Sequence, residues 1–199
     1  MTNPKINSIL DEGNRLFLEG KFQQAITYYD KILDEDPKHI SSLNNKGYAL
    51  SKLKDFTNAM KCYDIALEIC PHDLSVLINK ISSFRKQGNF IEALSICDNI
   101  LKNNPNYNIV LYHKERILFS MKKFNESISC CNCILKDYPN NGDVLFDKAS
   151  NFAMLSNFDN ALDLLEHAIF QGIQYKVKAK KSKSFEKFLN NIKFQDLIS

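Results

Sequence analysis

"KFQQAITYYDKILDEDP", Lys21 to Pro37, reads as an amphipathic helix running into a proline. Its phenylalanine and proline return after 34 residues in "KDFTNAMKCYDIALEICP" (54–71), and after another 34 in "GNFIEALSICDNILKNNP" (88–105). The full series is Phe22, Phe56, Phe90, Phe124 and Phe158, with Pro37, Pro71, Pro105 and Pro139 in step. A small residue follows each phenylalanine by three: Ala25, Ala59, Ala93, Ser127 and Ala161. Lysine keeps the same register at Lys46, Lys80, Lys114 and Lys148. A period of this length is the mark of a stacked-repeat architecture, so it decides the fold before any local reading.

Within one copy the apolar residues are spaced for helices. Leu43, Gly47 and Leu50 share one face, and Phe56, Ala59, Met60, Tyr63, Ala66 and Leu67 share another. Steps of three, four and seven fit a 3.6-residue period and not the alternation of a strand. A short polar turn, such as "LEGK" or "KQGN", separates the two runs, and its glycine supplies a left-handed backbone at little cost. The proline ends the second helix because it cannot extend the hydrogen-bond ladder. Each copy is therefore expected to be a pair of antiparallel helices, with the periodic phenylalanines as structural residues.

These copies resemble tetratricopeptide repeats. The resemblance rests on Gly13, Leu16, Ala25, Tyr29 and Pro37, and again on Gly47, Leu50, Ala59, Tyr63 and Pro71. It implies an all-α, right-handed α-solenoid of five repeats, spanning 6–39, 40–73, 74–107, 108–141 and 142–175. Residues 1–5 would be an N-terminal extension and 176–199 a basic C-terminal capping helix. Phe185, Phe188, Leu189 and Ile192 carry the helical spacing of that cap. Copies three and four depart from the pattern with Ile81 and Glu115 at the small position of the first helix. A buried glutamate must find a partner or push the helices apart, since an unpaired buried carboxylate is costly.

The bulk composition sets limits. Hydrophobic residues make up 44% and charged residues 25%, ordinary for a folded soluble chain. The start, "MTNPKINSIL", has no secretory pattern, and no run approaches the ~18 apolar residues of a membrane span. A cytoplasmic location without membrane insertion is expected. Six cysteines without a disulfide framework read as reduced thiols. Cys130 and Cys133 of "SCCNC" would share a helix face, but they fall at packing positions, so no metal and no cofactor is expected. The histidines stand in no catalytic arrangement and the glycines form no phosphate loop, which points to a non-catalytic chain.

The net charge of +3 does not argue for nucleic acid. The lysine-rich stretch "YKVKAKKSKSFEK" offers an alternative, association with nucleic acid or an anionic membrane surface, against the simpler reading of a solvated polar cap. The main expectation is a protein–protein interaction adaptor. In tetratricopeptide repeats the first helices line a concave groove, which here would present Asn14, Asn45, Tyr48, Asn79, Arg85, Lys86, Tyr112, His113 and Arg116. Amides, aromatics and cations of this kind suit an extended, acidic peptide of a protein partner. Asp143 and Asp147 would give copy five the opposite sign. The family's carboxylate clamp for chaperone tails is not expected, because Leu10, Ser75 and Asn79 replace three of its cations.

Overall fold

The computed structural model describes residues 4–199, and all regular structure among them is helical. Helices follow one another in helix-turn-helix succession: α1 (Pro4–Leu18) packs on α2 (Phe22–Glu35), α3 (Ile40–Lys52) packs on α4 (Phe56–Ile69), and α5 (Leu74–Gln87) is followed by α6 (Phe90–Asn103). They continue with α7 (Asn108–Ser120) and α8 (Phe124–Asp137), then α9 (Gly142–Met154) and α10 (Phe158–Gln171). The architecture is all-α, built from helix-turn-helix pairs in the manner of an α-solenoid. The chain divides into two compact units, one ending at Ile96 and one beginning at Cys97.

Every second helix opens on one of the periodic phenylalanines. Three residues on, Ala25, Ala59, Ala93, Ser127 and Ala161 are all fully buried. The small residues thus form the close-approach column. The phenylalanines themselves are shallower than a core role requires: Phe22, Phe56, Phe90 and Phe124 are half-buried and Phe158 is 38% exposed. They lie beside the hairpin turn, where Phe17 meets Phe22 at 5.2 Å and Phe119 meets Phe124 at 5.5 Å between ring centroids.

The turn inside each pair places one residue in the left-handed region. The glycines are Gly20 (φ 76°) and Gly88 (φ 89°), and the same column holds Lys54 (65°), Lys122 (60°) and Ser156 (60°). A side chain there costs ~1–2 kcal/mol, against ~0.5–1 kcal/mol for the extra chain freedom of glycine. Lys122→Gly is therefore expected to stabilise the chain by ~0.5–1 kcal/mol, read as a higher urea midpoint at unchanged slope.

The recurring lysines have more than packed stems with their ammonium groups in water. Lys46, Lys80 and Lys114 reach back to Asp30, Asp64 and Asp98 of the preceding second helix, at 2.5, 2.5 and 2.6 Å. Asn132 stands in the aspartate column for Lys148. Exposed pairs of this kind contribute ~0.2–1 kcal/mol each, so they tune the packing without driving it.

In unit 1 the core joins Leu16, Ala25, Ile26, Tyr29, Leu43, Leu50, Ala59, Tyr63 and Val76. In unit 2 it runs from Leu145 and Phe146 through Leu165 and Tyr175 to Phe185, Phe188, Phe194 and Ile198. Glu115, expected to find a partner or force the helices apart, finds partners in Ser127 and Asn151.

The C-terminal segment differs from the single capping helix read in the sequence. It consists of α11 (Gln174–Lys181), a 3-10 turn over Lys183–Phe188, and α12 (Ile192–Ile198). Ser182 and Asn191 break the run: their side-chain oxygens accept from the backbone N–H of Ser184 and Phe194 and start new elements. The buried set shifts in consequence. Phe185 and Phe188 are buried as expected, but Leu189 and Ile192 are 45% and 80% exposed, and Phe194 and Ile198 take their place.

Candidate functional site

In unit 1 the asparagines of three successive first helices are joined side chain to side chain. Asn14 Oδ1 on α1 accepts from Tyr29 Oη at 3.0 Å and from Asn45 Nδ2 on α3 at 2.8 Å. Asn44 Oδ1 accepts from Asn79 Nδ2 on α5 at 2.9 Å. These bonds fix which way each amide points. Each half-buried amide keeps hydrogen-bonding capacity on its other atom, donors at Asn14 and Asn44 and acceptors at Asn45 and Asn79. A peptide backbone offers one donor and one acceptor per residue, so this run can pair with an extended chain. Asn14, Asn44 and Asn45 also line a cleft of about 290 Å³ with Leu10, Ile40 and Val76.

The same helix faces lead to a cluster of cations. Asn45, Tyr48 and Lys52 follow at i, i+3 and i+7 on α3, and Asn79 and Lys86 at i and i+7 on α5. Tyr48 stacks on Phe17 at 5.0 Å, with the ammonium groups of Lys52 and Lys86 at 5.1 and 5.7 Å from its ring centroid. Partial burial, then repulsion from Lys52 and Arg85, pulls the Lys86 ammonium below its ordinary range. Two lysines beside one aromatic face, with Arg85 adding its charge to Lys86, favour an anion. Lys52 is a member the sequence reading missed. The signal was available, since it stands one repeat before Lys86.

In unit 2 the expected groove residues have a different electrostatic setting. The Arg116 guanidinium on α7 lies 5.5 Å from the Tyr112 ring and acts electrostatically on both Asp143 and Asp147 of α9. Asp143 is also held by Lys178 of α11 at 2.6 Å. Arg116 thus already acts on carboxylates of its own chain. His113 is half-buried on the same helix. Ile109, Tyr112, Tyr138, Asp143 and Val144 line a pocket of about 430 Å³. The candidate residues therefore fall into two sets, Asn14, Asn45, Tyr48, Asn79, Arg85 and Lys86 in unit 1 and Tyr112, His113 and Arg116 in unit 2.

Four of the six cysteines behave as packing residues. Cys62, Cys97, Cys130 and Cys131 are buried, while Cys133 is exposed and does not share the environment of Cys130. Burial pushes the Cys97 and Cys130 thiols up to about 12 and about 11, far from reactive thiolates. Among the described residues no group of three or more His, Cys, Asp or Glu side chains could hold a metal ion. No described helix is long and apolar enough to cross a membrane. Several lysines of the C-terminal segment are tied down, Lys176 to the Ser199 carbonyl, Lys187 to Ser156 and Lys193 to Asp163.

Models of the tetratricopeptide repeat match residues 15–39 and 40–73. The chain carries tetratricopeptide repeats over residues 15–73. Solved tetratricopeptide repeat structures share the fold. One from Parabacteroides merdae is 17% identical over 99% of this chain and 84% of its own, with a TM-score of 0.73. YrrB, described as a TPR protein with an unusual peptide-binding site, is 18% identical over 87% of this chain and 91% of its own, with a TM-score of 0.65. The protein MamA is 16% identical over 89% and 96%, with a TM-score of 0.68. None of the curated proteins compared with this chain matches it. The tetratricopeptide repeats support a protein-interaction adaptor or scaffold, the usual non-catalytic role of such proteins.

Proposed function

We propose that this tetratricopeptide repeat chain is a non-catalytic cytoplasmic adaptor whose unit 1 holds an extended acidic segment of a partner protein. One observation carries this reading: the amide run Asn14–Asn45 and Asn44–Asn79 shares its helix faces with the cations Lys52 and Lys86 beside Tyr48. The amides bond the ligand's backbone, and the cations take a side-chain or C-terminal carboxylate. Arginine holds a carboxylate through two parallel hydrogen bonds, and lysine adds a point charge. The peptide site of YrrB lends support from a chain of the same fold. In unit 2, Tyr112, His113 and Arg116 are proposed as a separate, weaker surface, because Arg116 already acts on Asp143 and Asp147 of its own chain.

Titration of labelled extended peptides, acidic, neutral and basic, tests this. Acidic peptides should bind with Kd on the order of micromolar, ~8 kcal/mol, weakening as salt rises. Arg85→Ala with Lys86→Ala should weaken binding at least tenfold, since a hydrogen bond to a charged group contributes ~1.5–3 kcal/mol. Arg116→Ala should weaken it less. Equal affinity for basic and acidic peptides, or no loss in the double variant, would remove the binding surface from unit 1.

A further inference from the structure

Glu115 stands in the column that Gly13 and Gly47 occupy in the first two copies, and it is only 2% exposed. Its Oε1 accepts from Ser127 Oγ at 2.9 Å on α8 and from Asn151 Nδ2 at 3.4 Å on α9. Its Oε2 is buried without a hydrogen-bond partner, and so is Asn151 Oδ1. The amide cannot be turned over to correct this, because Asn151 Nδ2 also donates to the Asp147 carbonyl at 2.9 Å. Two side chains that already meet through Oε1 and Nδ2 therefore each keep an orphaned acceptor. Buried polar atoms are rarely left so, and one proton would satisfy both. An ionised carboxylate has no donor to give, whereas a neutral carboxylic acid has one.

We propose that Glu115 is carried as the neutral acid, donating from Oε2 to Asn151 Oδ1, and that loss of this proton loosens α7, α8 and α9, making a pH-sensitive joint in unit 2. Charged and titratable groups lie around it and its neighbours Asp147 and Cys131. Tyr112 and Arg116 come from α7, Cys130 and Cys131 from α8, Asp143, Asp147 and Lys148 from α9, and Lys178 from α11. Burial first and the Asp147 charge second push Glu115 up to about 7, against the pull of Ser127, Asn151 and Arg116. Burial and Asp143 raise Asp147 as well, while Arg116 and Lys178 oppose the rise. The two carboxyls titrate as a pair, and the first proton lost at neutral pH belongs to both.

The direction of the effect follows from where the proton is held. The folded chain keeps it up to about 7, whereas the unfolded chain releases it near the ordinary 4.5. The contribution to stability is therefore whole below that window and is lost as pH rises through it. Glu115→Gln places an N–H donor where the acid has its O–H, keeps the acceptor, and never ionises. Melting and hydrogen exchange of the full chain at about pH 4 and about pH 8 compare the two forms. At the higher pH the variant should melt above the parent and protect the amides of α7 and α9 at least tenfold more, and at the lower pH the two should coincide. Asp147→Asn should keep a reduced pH dependence. A carboxyl NMR titration of the parent should place the Glu115 midpoint near neutrality. The proposal is overturned by a midpoint in the ordinary carboxylate range, by a variant as pH-dependent as the parent, or by one less stable than the parent at both pH values, failure to fold included.

Discussion

Tyr63→Ala is expected to destabilise unit 1 by ~3–5 kcal/mol, the cost of emptying a buried aromatic site. The ring is fully buried, and the space it fills exists only because residue 47 has no side chain. A Cβ built on Gly47 would stand 2.7 Å from Tyr63 Cε1 and 3.0 Å from two further ring atoms. The phenol oxygen accepts from Ser83 Oγ at 3.4 Å, and burial raises its pKa. Tyr63→Phe keeps the packing and should cost only ~0.5–1.5 kcal/mol for the lost hydrogen bond. Gly47→Leu attacks the same contact from the other side and should cost ~1–3 kcal/mol or more by overpacking. Since domains are stable by only ~5–15 kcal/mol, the alanine variant removes a large share of the total. Urea unfolding of the three variants measures it. A loss for Tyr63→Ala no larger than for Tyr63→Phe would show that the Gly47–Tyr63 contact is not what holds this pair together.

That contact also shows how much the sequence can say. The 34-residue clock and the helix pairs are legible because Phe, Ala and Pro each mark an end or a close approach that few residues tolerate. The departures at Ile81 and Glu115 are visible too, but their meaning lies in a second column. Gly13 and Gly47 go with Tyr29 and Tyr63, whereas Glu115 goes with Cys131 and Ala149 with Leu165. When the first-helix residue grows, the second-helix residue shrinks, as close packing at fixed volume demands. Cys131 is the small member of this exchange opposite Glu115. The electrostatics of the candidate site were less legible. Arg116 reads as a free cation along the chain, and only the tertiary fold brings Asp143 and Asp147 within its electrostatic reach. Lys52 shows the converse, a cation whose partners Tyr48 and Lys86 become apparent once α3 and α5 pack side by side.

The other large effect is expected at Phe185, in a segment whose lysines make it look detachable. Phe185 is fully buried, with its ring centroid 5.7 Å from Phe146, 5.6 Å from Phe188 and 5.7 Å from Phe194. Phe146 in turn stacks on Tyr175 at 5.8 Å, so the cluster ties α9, α11, the 3-10 turn and α12 into one core. Stacked repeats must cover the apolar face of their last pair, and in unit 2 this aromatic cluster does so. Phe185→Ala should therefore destabilise unit 2 by ~3–5 kcal/mol, as a core truncation and not as a surface change. Aromatic pairs contribute ~0.5–1.5 kcal/mol beyond their buried area, and losing three neighbours at once pushes the value toward the upper end. Neutralising the exposed lysines instead, with Lys180→Gln, Lys181→Gln and Lys183→Gln together, should change stability by no more than ~0.5 kcal/mol per site. Urea unfolding and hydrogen exchange across 142–199 separate the two cases. If the alanine variant protects α9 and α10 as well as the parent does, the segment is an appendage and some other element covers the last pair. If both helices open together with α11 and α12, the aromatic cluster is the closing layer of the unit.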